Sequence, residues 1–70
     1  MGSQSVAKVI ELVGSSEKGW SEAADTAVKT ASRSIKNITG VEVVSMTAQV
    51  AEGGIVSYRS TVKVAFGVED

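Results

Sequence analysis

There is no cysteine and no histidine in these 70 residues. The first absence excludes disulfides, and the two together leave a zinc site without its usual ligands. They also remove the commonest nucleophile–base pairs. No serine stands in a nucleophile-elbow context, and a carboxylate or lysine acting as general base would have no visible partner. The chain is therefore expected not to be an enzyme. An excess of one charge is missing as well: seven basic and eight acidic residues give a net charge of −1, so nothing draws the chain to nucleic acid. No apolar run approaches the roughly 18 residues of a membrane span. The N-terminus has no basic segment leading into an apolar one. The expectation is a cytoplasmic protein with no membrane and no nucleic-acid partner.

Length is also scarce. The chain allows one domain, expected over residues 1–70, with residues 1–4 disordered or left over from expression. A chain this short buries only about 60% of its unfolded surface, so a lone monomer is marginal. With disulfides and zinc excluded, self-association is the staple that remains.

What is present is periodicity. Val56, Tyr58, Val62, Val64 and Phe66 recur at every second position, with Ser60 the exception, and Ser57, Arg59, Thr61, Lys63 and Ala65 lie between. That alternation predicts a strand with one buried face. What Arg59 faces on the other side (water, a partner subunit or a ligand) is the functional question. Residues Ser5 to Val13 form a β-branched run ending at Gly14, also a strand, and "GSSEKG" reads as a loop. Ala24, Ala27, Val28, Ala31, Ile35 and Ile38 then follow a helical period. They predict an amphipathic helix of about five turns from near Gly19 to Asn37. Acids come early and bases late along it, as the helix dipole prefers. Gly40 or Asn37 is expected to take a left-handed conformation at the exit.

Val41 to Ala51 is a further strand, with Val44, Met46, Ala48 and Val50 on one face and Val41, Val43, Ser45, Thr47 and Gln49 on the other. Glu52-Gly53-Gly54 reads as a hairpin turn. The order is β-α-β-β, an α+β fold: a three-stranded antiparallel sheet, order 1-3-2, on one helix. Its free edges and half-covered sheet again predict assembly.

Three segments, "KVIELVGSSEKGWSEAADTAV" (Lys8 to Val28), "VEVVSM" (Val41 to Met46) and "YRSTVKVAF" (Tyr58 to Phe66), resemble the dodecins in order and spacing over nearly the whole chain. The resemblance implies a hollow homododecamer and a non-enzymatic role in binding and buffering flavins such as riboflavin, FMN or lumichrome. In such proteins a tryptophan before the second strand stacks on the flavin, a glutamine after the third-strand tyrosine bonds the ring, and many members carry a second-strand arginine. The equivalent positions here are Gly40, Arg59 and Thr47. All three depart from the pattern. Glycine offers no stacking face, and a guanidinium donates but cannot accept. The resemblance therefore implies weakened or lost flavin affinity. The tail is closest to a branch that lacks the tryptophan and is described as binding calcium, although the eight carboxylates from Glu11 to Asp70 form no calcium loop. A cation site would have to be assembled from several subunits. Trp20 is expected to pack the helix start rather than stack on a ligand.

Overall fold

The computed structural model describes residues 6–68; the expectation for residues 1–4 lies outside them. The elements are β1 (Val6–Ser16), α1 (Trp20–Ala31), β2 (Ile38–Ala51) and β3 (Gly54–Val68). The sheet is antiparallel with β3 in the centre, order β1-β3-β2. The β-α-β-β order and the 1-3-2 sheet are as the sequence predicts.

The hairpin is a two-residue turn. Ala51 pairs with Gly54, and Glu52 and Gly53 both take positive φ, 53° and 81°. Two left-handed residues are what a type I′ turn needs to match the strand twist.

The helix is shorter than its period suggests: 12 residues, ending at Ala31 rather than Asn37. Ser32 is the reason visible locally. Its hydroxyl donates to the Lys29 carbonyl at 2.8 Å, one of the local bonds by which serine competes with helix propagation. The N–H groups of Arg33 and Ser34 then donate only three residues back, to the carbonyls of Thr30 and Ala31 at 3.3 and 3.2 Å. Asn37 takes φ 65° and turns the chain into β2. Of the two exit candidates Asn37 is correct. Gly40 lies inside β2, without positive φ.

The buried helix face is Ala23, Ala27 and Ala31, with Ala24 and Val28 half-buried. It packs on Val62 and Val64 of β3 and on Ile10 and Leu12 of β1. Small residues bring the helix close. A Cβ on Gly14 would collide with the main-chain oxygen of Ala23, so Gly14 marks the closest approach of helix and sheet rather than the end of β1. The strand continues through it to Ser16. Ser60, the exception on the apolar face of β3, is fully buried and donates to the Trp20 carbonyl at 2.8 Å.

The division of β2 into two faces needs correction. Val43 pairs with Val62 but Ser45 pairs with Thr61, so Val44 is an extra residue. This bulge resets the alternation. Val41 and Val43 share the helix side with Met46 and Ala48, while Gly40 and Glu42 share the outer side with Ser45, Thr47 and Gln49.

The helix lies over β1 and β3 and barely reaches β2. Val41, Val43 and Met46 on the helix side of β2 consequently remain 46–59% exposed, and Val9 and Val13, on the uncovered outer face of β1, are 56% and 61% exposed. The radius of gyration is 14.8 Å, against about 11 Å for a compact chain of this length. The accessible surface is 5153 Å², against about 4,100 Å² for a folded monomer of this mass.

Candidate functional site

The outer face of the sheet, away from the helix, carries all three positions singled out above. β3 sets the rows, because its outward residues Arg59, Thr61, Lys63 and Ala65 are each flanked by one partner on β1 and one on β2. Ala65 lies between Val9 and Gly40, Lys63 between Glu11 and Glu42, Thr61 between Val13 and Ser45, and Arg59 between Ser15 and Thr47.

Thr47 and Arg59 are therefore brought together as direct cross-strand partners. The guanidinium stem rises between two hydroxyl residues, and the next row adds Thr61 and Ser45. No carboxylate belongs to these two rows. Among the described residues, the one ion pair is Lys29–Asp25 at 3.0 Å, and it lies on the helix. Arg59 is exposed, and no acid among the described residues pairs with it. The arrangement can donate several hydrogen bonds to an anionic or carbonyl-bearing group.

Gly40 is not brought to that place. Its row is that of Ala65, six residues along β3 from Arg59, or about 20 Å at the rise of a strand. Apart from Gly40 itself and its two chain neighbours, no described atom lies within 4 Å of the position a Gly40 Cβ would take. Around it is an open depression of about 500 Å³ lined by Val9, Gly40, Val41, Glu42, Lys63 and Ala65. A Cβ at position 40 would point into open space. A ligand touching Gly40 and Arg59 together would need them from different copies, or a length near 20 Å.

Trp20 lies on the opposite side of the sheet. Its indole N–H donates to the Thr47 carbonyl at 2.8 Å, and its ring meets Tyr58 edge-on, centroids 4.8 Å apart at 78°. Trp20 and Tyr58 thus pack the helix start, as the sequence suggests. No group of three or more Asp or Glu residues able to hold a metal occurs among the described residues, and no described helix is long and apolar enough to cross a membrane.

Missed at the sequence level was the row of Glu11, Lys63 and Glu42. The signal existed in principle, since three charges fall on outward positions, but the shift at Val44 hides which face Glu42 takes.

The arrangement of elements and the outward positions invite comparison with known proteins. The family model described as Dodecin matches residues 6–69. Calcium dodecin of Mycobacterium tuberculosis is 36% identical over 62 residues, covering 89% of this chain and 87% of that protein. Dodecin of Thermus thermophilus is 31% identical over 65 residues, covering 93% and 94%. A crystal structure of a T. thermophilus dodecin point mutant matches with a TM-score of 0.90 at 30% identity, over 96% of this chain and 100% of that one. The structure of dodecin from Streptomyces coelicolor matches with a TM-score of 0.91 at 28% identity, over 99% of each chain. On sequence and fold together, the chain belongs to the dodecin family.

Proposed function

We propose that this protein is a non-enzymatic small-molecule binding and storage protein that works as a homododecamer of one-domain subunits, with flavin affinity weakened or lost. The assembly reading is supported by the exposed valines on both sides of the sheet and the excess surface of the isolated chain, which a lone domain this small has little stability to sustain.

The observation that carries the ligand reading is the open space at Gly40. In the family pattern this position supplies the stacking tryptophan. Its loss should weaken flavin binding by about 1–3 kcal/mol per contact, on the scale of base–aromatic stacking. Arg59 and Thr47 occupy the other two family positions, and Arg59 can only donate. The site residues we assign are Gly40, Thr47 and Arg59. The test is a titration of riboflavin, FMN and lumichrome with the purified oligomer, followed by flavin fluorescence. Weak or absent quenching at micromolar protein is expected. Strong quenching at sub-micromolar protein would overturn the reading of lost affinity.

A second reading follows from the similarity to a protein named calcium dodecin. The fold would then hold a cation such as calcium. The described residues of one chain contain no chelating group of three, so such a site takes one carboxylate from each of several copies. A melting temperature that falls on adding a chelator, and recovers with calcium, supports this reading.

A further inference from the structure

We propose a second binding site, for a small organic acid with an apolar body, in the hollow beneath the exit of α1. This hollow, of about 450 Å³, is lined chiefly by Lys8, Ser34, Ile35, Lys36, Asn37 and Phe66. It lies on the helix side of the sheet, so it is separate from Gly40, Thr47 and Arg59. Its construction follows from the register. Phe66 stands on the central strand with Lys8 opposite on β1 and Ile38 opposite on β2. The segment between α1 and β2 passes over it. Asn37 fixes that roof: its left-handed backbone turns the chain, and its carbonyl accepts the Gly67 N–H at 3.0 Å.

Three features select the ligand. Lys8 and Lys36 both line the hollow, from different parts of the fold, and neither joins an ion pair among the described residues. The Ser34 hydroxyl and Asn37 amide add hydrogen-bond donors at the rim. Phe66 and Ile35, both half-buried, supply an apolar floor. An apolar body with a few convergent polar contacts is the usual composition of a small-molecule site. The negative end of the helix dipole is close, but its effect is confined to the last turn. There the carbonyls of Val28, Thr30 and Ala31 already accept the N–H groups of Ser32, Arg33, Ser34 and Ile35. Lys8 and Lys36 are the charged residues among those that line the hollow. A monocarboxylate with a chain of several carbons, or an aromatic acid of similar size, satisfies both parts.

The test is saturation-transfer difference NMR on the intact oligomer with three probes: hexanoate, 1-hexanol and acetate. Hexanoate should give a saturable signal, with 1-hexanol and acetate giving little. Lys8→Gln with Lys36→Gln should weaken hexanoate by roughly fivefold or more, the order expected for two solvent-accessible charge contacts. Lys29→Gln, which breaks the exposed pair with Asp25 on the helix, serves as the charge control and should leave binding unchanged. Glu69 and Asp70 follow Val68 in the sequence, so the titration is repeated with Glu69→Gln and Asp70→Asn. No hexanoate signal in either form overturns the proposal. So does equal binding of 1-hexanol, or an affinity unchanged by the double lysine variant.

Discussion

The indole N–H of Trp20, at the start of α1, donates to the main-chain carbonyl of Thr47 on β2 at 2.8 Å. This bond ties the helix to the strand it otherwise barely touches. The Tyr58 ring, edge-on at 4.8 Å, holds the indole in that direction. Trp20→Phe keeps most of the packing and loses the bond. It should lower unfolding stability by about 1–2 kcal/mol in a denaturant titration, and it should leave any flavin response unaltered. A flavin response abolished by this substitution would mean that Trp20 touches the ligand.

Gly14 sits against the Ala23 carbonyl, where a Cβ has no room. The obstacle is backbone, so a rotamer change cannot relieve it. Gly14→Ala should destabilise by about 1–3 kcal/mol through overpacking, read as a fall in melting temperature. Gly54→Ala, with nothing near its added Cβ, is the control and should change stability by no more than about 0.5–1 kcal/mol.

The open position at Gly40 makes the reverse experiment feasible. Gly40→Trp combined with Arg59→Gln should raise riboflavin affinity by roughly 5- to 150-fold, the equivalent of about 1–3 kcal/mol per stacking contact. The measurement is flavin fluorescence quenching against the parent protein. Absence of a gain would mean that the pocket has been remodelled beyond these positions.

Assembly can be separated from folding at Val43, which is 46% exposed in a single chain. In a monomer, Val43→Asp at such a half-exposed strand site would cost about 1 kcal/mol. In an assembly that covers β2 it buries a charge without a partner. Light scattering after size exclusion should give many times the 7.2 kDa chain mass for the parent and a much smaller species for Val43→Asp. A parent that elutes as a stable monomer would refute the assembly.

Much of this molecule is legible in its residues. The alternation from Val56 to Phe66 specifies a half-buried strand, and the glycines after Glu52 specify the hairpin. A helix between the first two strands then leaves 1-3-2 as the only fully antiparallel order. Motif order and spacing suffice to place the chain among the dodecins. Ser60 reads as a blemish in the apolar pattern, yet it is a buried hydroxyl whose partner is a carbonyl 40 residues away. No local pattern could announce that partner.

The sequence alone determined strand and helix types, sheet order, family and the residue identities Gly40, Thr47 and Arg59 that depart from the family pattern, because these depend on local period, turn chemistry and residue identity. Tertiary structure decided three other things. One residue of bulge at Val44 reassigned the faces of β2 and placed Glu42 beside Lys63. The early end of α1 opened a hollow between Lys8 and Lys36. Strand register put Arg59 beside Thr47 and kept Gly40 six residues away along β3. Each depends on which residues meet across the sheet, and a shift of one position in strand pairing reverses every face.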